Sequence, residues 1–183
     1  MTLKLVTATP ADLPKIKELY LSAFPAVERI PFRLLKKRTK TGIAEFCSLY
    51  DDDNWVGFIY TVKNAELVYV FFLAIKETER SKGYGSGLME LIKERYQGQV
   101  IGLSAEKPDA TAANNHERLR RLKFYAKNEF LPTDFYTAEK GGVEFEFLTQ
   151  NGQKIRPQAY PELMAQCLGL WQKFLLPIKV VKD

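Results

Sequence analysis

The chain has 183 residues, 46% of them hydrophobic and 13% aromatic. That is enough apolar material for one domain of ordinary size, and too much for a disordered chain. The formal charge is +5 and the pI near 9.1, a mild excess that suits an anionic ligand as well as nucleic acid. The longest apolar run, Val68 to Ile75, is too short to span a membrane. The start MTLKLVTATPADL lacks the long apolar stretch of a secretory signal, so a cytoplasmic protein is expected.

Taken in chain order, LKLVTA (Leu3 to Ala8) alternates apolar and polar residues and reads as a strand. Thr9-Pro10-Ala11-Asp12 reads as a helix start, with Thr9 as N-cap and Pro10 in the first turn. Leu13, Ile16, Leu19, Tyr20 and Phe24 follow at helical spacing until Pro25. Pro31 opens a second, basic helix through about Lys40. A β-meander comes next: AEFCSLYD, the turn Asp51 to Asn54, WVGFIYTV, the turn Lys63-Asn64, and ELVYVFFLAI, the most apolar strand. After a glycine-rich segment, GLMELIKERY reads as a helix and QVIGLSAE (Gln99 to Glu106) as a strand. HERLRRLKFYAKN reads as a helix behind the cap Asn114-Asn115. Two short strands, near Phe135 to Ala138 and Val143 to Thr149, flank the turn Gly141-Gly142, and an amphipathic helix runs from about Tyr160 to Leu175. Three consecutive strands before the first strand-helix-strand unit exclude a doubly wound alternation. They predict an α/β (α+β) fold with a mixed, mostly antiparallel central sheet and helices on both faces.

Cys47 and Cys167 lie far apart among apolar neighbours and are expected as buried free thiols. Two cysteines and the single histidine, His116, do not make a structural zinc site, and no metal is expected. The basic runs RLLKKRTK (Arg33 to Lys40) and ERLRRLK (Glu117 to Lys123) carry no basic-aromatic repeat or zinc-finger pattern that would point to nucleic acid.

The segment ETERSKGYGSGL (Glu77 to Leu88) carries the chemistry. A strand that ends in a glycine-rich turn and enters a helix is built to hold phosphate. The amides of the first helical turn lack intrahelical partners, the helix dipole adds partial positive charge, and glycines let the backbone come close. Arg80 and Lys82 add full charges, and Ser81 and Ser86 add hydroxyl donors. The segment is neither a Walker A loop nor G-x-G-x-x-G.

R-S-K-G-Y-G matches R/Q-x-x-G-x-G/A, and the chain here resembles the GCN5-related N-acetyltransferase (GNAT) family. FYAKNEF (Phe124 to Phe130) is similar to that family's later F-Y-x-x-x-G-F signature. The element order over residues 1–150 is similar to the same fold, leaving a C-terminal extension over about 151–183 of a single domain. The resemblance implies acetyl transfer from acetyl-CoA to a primary amine of a small molecule or peptide. It also implies a splayed strand pair in which the backbone of Leu73, Ala74 and Ile75 pairs with the pantetheine arm. The pyrophosphate would lie on the amides from Arg80 to Ser86 (Arg80, Ser81, Lys82, Gly83, Tyr84, Gly85, Ser86), with Gly87 completing the loop and Asn114 and Asn115 as further cofactor contacts. Tyr125 matches the family tyrosine that protonates the departing thiolate, and a phenol is protonated at neutral pH. Glu106, ending the strand beside the splay, is a candidate base with a surface carboxylate as its plain alternative. His116 is expected at an exposed helix start. The family glycine is replaced by Glu129, so Asn128 is expected to adopt the left-handed conformation.

The acceptor is not encoded in any of these motifs. Phe24, Phe32 and Tyr136 would line an apolar pocket or belong to the core. Cations Arg33, Lys36 and Lys37, if they face the cleft, favour an acceptor bearing carboxylate or phosphate over a polyamine. A homodimer is compatible with the sequence. Two other classes remain open: a non-catalytic acyl-CoA sensing module, and a nucleic-acid or interaction protein using the basic helices.

Overall fold

The structure is a computed structural model describing residues 2–182, apart from the side chains of Lys140, Leu170, Lys173 and Phe174. Its strands are β1 (Leu3–Thr7), β2 (Ala44–Asp51), β3 (Asn54–Lys63), β4 (Val68–Ile75), β5 (Ile101–Glu106), β6 (Phe130–Ala138), β7 (Glu144–Gln150) and β8 (Lys179–Lys182). Its helices are α1 (Leu13–Ala23), α2 (Phe32–Thr39), α3 (Tyr84–Arg95), α4 (Asn115–Lys127), α5 (Ala159–Leu168) and the single turn α6 (Gln172–Leu175). The fold is mixed α/β and mostly antiparallel, as the meander predicted. Backbone contacts group the chain into two compact units, Met1–Lys63 with Val70–Gln97, and Asn64–Tyr69 with Gly98–Asp183.

In the first unit the strand order is β1-β2-β3-β4. β1 pairs antiparallel with β2 from Leu3↔Asp51 to Thr7↔Cys47, and β2 with β3 from Ala44↔Val62 to Asp51↔Asn54. The aromatic residues of the meander and the first two helices make the core. Tyr20 packs edge-on against Phe72 at 5.0 Å between ring centroids, Phe24 against Phe72 at 4.9 Å, and Phe46 against Tyr60 at 4.5 Å. Each fully buried aromatic of this kind contributes roughly 2–3 kcal/mol. The Tyr20 hydroxyl donates to the Ile30 carbonyl (2.9 Å) and accepts from the Ile30 amide (2.8 Å), which pins the loop between α1 and α2. At the far end of α3, Glu45 accepts from Arg95 and from the Tyr96 hydroxyl, each at 2.7 Å. Burial opposes the ionised form of Glu45, but these two donors outweigh it and hold the carboxyl below its ordinary range. Cys47 is buried and free as expected; burial pushes its thiol up to about 12.

In the second unit the order is β4-β5-β7-β6-β8. The parallel ladder of β4 with β5 consists of Val68↔Ile101 and Tyr69↔Gly102. β5 then pairs antiparallel with β7, and β6 with both β7 and β8. Phe135, Phe147, Tyr69 and Tyr160 stack through this unit, with Tyr160 of α5 at 4.4 Å from Tyr69. Ala159, Tyr160, Leu163, Met164, Cys167 and Leu168 are buried, so α5 is part of the core of this unit.

Several boundaries differ from the sequence reading. The cap of α1 is Asp12, and Pro14 lies in its first turn. Thr9 instead donates through its amide (2.8 Å) and hydroxyl (2.9 Å) to Asp12, closing a turn ahead of the helix. The C-terminal helix breaks at Gly169, whose φ is +60°, into α5, a short turn and α6. β8 was not foreseen. The left-handed residue after α4 is Glu129 (φ +68°), not Asn128. Asn128 is buried and its side-chain amide donates to the Phe124 carbonyl at 2.7 Å, so the reversal into β6 falls on the exposed Glu129. Among the described residues no helix is long and apolar enough to cross a membrane.

Candidate functional site

The residues singled out by sequence fall into the two units, and each group has its own geometry. In the first unit, β4 runs antiparallel to β3 across the tight turn between them. The Lys76 amide donates to the Val56 carbonyl (2.9 Å), and the Ala74 carbonyl is turned toward β3. A Cβ on Gly57 would come within 2.4 Å of that carbonyl, so only glycine permits this close approach. Alternation along an antiparallel ladder then sends the amides and carbonyls of Leu73 and Ile75 to the opposite edge of β4. Of the three residues expected to bind an extended ligand arm, Ala74 faces its own sheet and its two neighbours face outward.

The glycine segment follows a short 3-10 turn, Glu77–Glu79. Ser81 (φ +65°) and Gly83 (φ +88°) are left-handed, and α3 begins at Tyr84, three residues earlier than periodicity suggested. The first hydrogen bond of α3 runs from the Gly87 amide to the Gly83 carbonyl at 3.1 Å. Among the described residues, the six consecutive amides from Ser81 to Ser86 have no hydrogen-bond partner. Left-handed residues at alternate positions curve such amides into a concave nest, and a non-glycine residue at positive φ is a strained feature typical of binding loops. Arg80, Ser81 and Lys82 are exposed around it. The Lys82 ammonium is held by Glu79 at 2.8 Å, while Arg80 has no ion pair among the described residues. Tyr84 is buried; its hydroxyl donates to Asp51 at 2.8 Å, and this bond pushes the phenol up to about 12.

In the second unit, Glu106 ends β5 and sits against α4. Its Oε1 is 3.1 Å from Arg118, and its Oε2 is 3.0 Å from Arg121 and 3.4 Å from the Asn114 amide. Arg118 also donates to the Lys107 carbonyl (3.0 Å) and to Asn114 (2.9 Å). Asn115 accepts from the Asp109 amide at 2.9 Å, closing the loop before α4. Glu106, Asn114 and Asn115 thus come together in a locked cluster that binds the strand end to the helix start. The partners Arg118 and Arg121 were not foreseen. They lie one turn apart on α4, but which strand that turn faces is a tertiary fact. Tyr125, two turns further along α4, is half-buried and packs edge-on against Phe124 at 5.3 Å. Burial pushes its phenol above the ordinary value, with Arg121 pulling the other way. Among the described residues its hydroxyl has no hydrogen-bond partner. His116 is exposed, as expected.

Tyr136 is half-buried and carries the Lys107 ammonium 3.6 Å from its ring centroid. Phe24 and Phe32 are half-buried members of the aromatic core of the first unit. Arg33, Lys36 and Lys37 are all exposed on α2. A shallow depression of about 440 Å³ in the second unit, lined by Glu66, Val100, Asp134, Lys154, Ile155 and Arg156, contains none of the predicted site residues. No group of three metal-ligating side chains occurs among the described residues.

Residues 13–130 match the family profile described as the acetyltransferase (GNAT) family. The chain belongs to that family. It is an N-acetyltransferase by that membership. Solved GNAT structures share its fold. A protein from Bacteroides thetaiotaomicron assigned to the GNAT family superposes with a TM-score of 0.71 at 22% identity, covering 96% of this chain and 99% of that one. Spermidine N-acetyltransferase from Vibrio cholerae, in complex with CoA and spermine, gives 0.63 at 14% identity over 82% and 96%. Arabidopsis thaliana Naa50, in complex with a bisubstrate analogue, gives 0.61 at 19% identity over 85% and 100%. No curated protein matches the chain significantly.

Proposed function

We propose that this GNAT acetyltransferase moves the acetyl group of acetyl-CoA to a primary amine, within a single acetyltransferase domain. The observation that carries the reading is the run of six amides at the start of α3, Ser81 to Ser86, that have no partner among the described residues. Of these, Ser81, Lys82 and Gly83 are exposed, while Tyr84, Gly85 and Ser86 are buried or half-buried, and a buried amide left without a partner is costly unless a ligand completes it. A pyrophosphate supplies several acceptor oxygens of the right charge for a helix N-terminus. Arg80 and Lys82 add charge, and the outward groups of Leu73 and Ile75 offer a strand edge to the pantetheine amides.

In the proposed reaction the neutral amine attacks the thioester carbonyl carbon. An outward amide of β4, at Leu73 or Ile75, donates to the oxygen as it becomes negative. The carbon–sulfur bond then breaks, and Tyr125 donates its proton to the departing thiolate. The added nitrogen loses its proton to solvent. Glu106 is assigned a structural role here, because its two oxygens are engaged by Arg118, Arg121 and Asn114. The exposed cations of α2 support an acceptor that carries an anionic group, in contrast to the spermine held by the Vibrio cholerae enzyme. Calorimetric titration with acetyl-CoA, followed by thiol release across an amine panel, tests the reading. Binding with turnover of at least one amine is expected. No binding sinks the donor assignment, and binding without turnover of any amine identifies a sensing module.

A further inference from the structure

The acidic turn between β2 and β3 grips the glycine loop at several points. The Tyr84 hydroxyl donates to Asp51 Oδ2 at 2.8 Å, and Asp51 Oδ1 accepts the Thr2 amide at 2.8 Å. Glu79 holds the Lys82 ammonium through its Oε2 at 2.8 Å. Lys76, at the root of the loop, donates through its ammonium to the Trp55 carbonyl (3.1 Å) and through its amide to the Val56 carbonyl (2.9 Å). The Asp51–Tyr84 bond and the two bonds of Lys76 join residues 51–56 to residues 76–84. A run of amides aimed at one anion is useful only if it is held still, and these bonds add an outside support to the loop's own Glu79–Lys82 pair. The tether lies on Tyr84, the first residue of α3 and a member of the run of amides itself.

We propose that Asp51 is a positioning residue for the donor: by fixing Tyr84 it sets the start of α3 and aims the amides of residues 81–86 at the pyrophosphate. The proposal rests on the acetyl-CoA reading. Asp51 carries a negative charge close to where an anion would bind, which weakens binding electrostatically. Its presence there is explained by the bond to Tyr84, and the two effects separate by substitution. Asp51→Ala removes acceptor and charge together. Asp51→Asn removes the charge and keeps an oxygen for the Tyr84 hydroxyl. Tyr84→Phe removes the donor and keeps the buried ring.

The test is steady-state kinetics of the four proteins and of the Asp51→Ala/Tyr84→Phe double variant, with melting temperatures recorded for each. Asp51→Ala and Tyr84→Phe are expected to raise KM for acetyl-CoA by about three- to tenfold, the net loss typical of one ordinary hydrogen bond, with kcat at saturation unchanged. The double variant is expected to match the singles, because the two residues act as one contact. Asp51→Asn should lie near the wild type or below it in KM. Unchanged KM in both folded single variants, or fully additive effects, overturns the proposal, as does a fall in kcat alone. Hydrogen exchange at the Gly87 amide, the first that α3 bonds, separates this failure from that of the donor reading, because it needs no ligand. Faster exchange in Tyr84→Phe is expected, and unchanged exchange counts against the tether even if acetyl-CoA proves not to be the donor.

Discussion

The two units carry opposite kinds of site. In the first, the proposed function rests on backbone: outward groups at Leu73 and Ile75, a left-handed Ser81 and Gly83, and six amides without partners among the described residues. In the second it rests on side chains: a tyrosine hydroxyl on α4 that has no partner among the described residues, and a carboxylate closed in by two arginines. A backbone site tolerates many side chains but few backbone geometries, whereas a side-chain site tolerates the reverse. The same substitution logic therefore predicts different outcomes in the two units.

The largest effect is expected at Tyr125. Tyr125→Phe keeps the ring against Phe124 and removes only the proton that the thiolate needs. A fall in kcat of about 100-fold or more is expected, the usual scale for a general acid, with KM for acetyl-CoA little changed. The sign of the pH dependence follows from burial. Tyr125 acts protonated, and its pKa is raised, so activity that depends on it is lost only as pH rises through that raised value. No alkaline fall from this group is expected below about pH 10. A kcat profile that falls near pH 8 and is unaltered in Tyr125→Phe would remove the assignment.

Next is the backbone site. At Gly83 an added Cβ meets nothing within 4 Å, so the cost of Gly83→Ala is conformational alone, about 1 kcal/mol for alanine at positive φ. Gly42 has the same character, with φ +76° and open space around it, but lies outside the loop. Gly42→Ala and Gly83→Ala are expected to lower the melting temperature alike. Only Gly83→Ala should weaken acetyl-CoA binding, by roughly fivefold if the same 1 kcal/mol is set against the bound conformation. Equal acetyl-CoA affinity in the two variants would mean that the nest is not the binding element.

This contrast also explains what was legible in the sequence. Glycine has few roles, and three glycines at alternate positions after the most apolar strand announce a backbone device. The loop and the meander could be read directly, though not the early start of α3, because glycine's poor helix propensity hid Gly85 and Gly87 inside the first turn. Arginine and glutamate have many roles. Nothing in the spacing of Glu106, Arg118 and Arg121 distinguishes a solvated helix face from the clamp that forms. The left-handed residue at Glu129 was hidden for a related reason: asparagine tolerates that conformation better, but Asn128 is buried and committed to Phe124. β8 is a four-residue edge strand whose pairing with β6 supplies what its own sequence does not.

A smaller effect tests the acceptor. Lys36→Glu and Lys37→Glu reverse two exposed charges on α2. If they steer an anionic acceptor, its KM should rise by about threefold at low salt and return toward the wild type as salt screens the charges. A polyamine would respond in the opposite direction. No response of either acceptor class would leave α2 a plain solvated face.

The smallest effect on turnover is expected at Glu106, where the two kinds of site predict values far apart. Were Glu106 the base, Glu106→Gln would cut turnover by about 100-fold and abolish the acidic limb of the pH profile. The geometry argues for a clamp. An amine proton would have to displace Arg118, Arg121 or Asn114 from oxygens they already occupy. Glutamine keeps the shape and one acceptor oxygen but leaves two guanidinium groups without their counter-charge. A loss of about 1 kcal/mol in stability is therefore expected, near the upper end for a partly exposed ion pair, with kcat reduced by no more than about threefold and the acidic limb intact. Arg118→Met should produce the same thermal loss without touching a carboxylate at all. If Glu106→Gln instead matched Tyr125→Phe in turnover, the second unit would hold both an acid and a base.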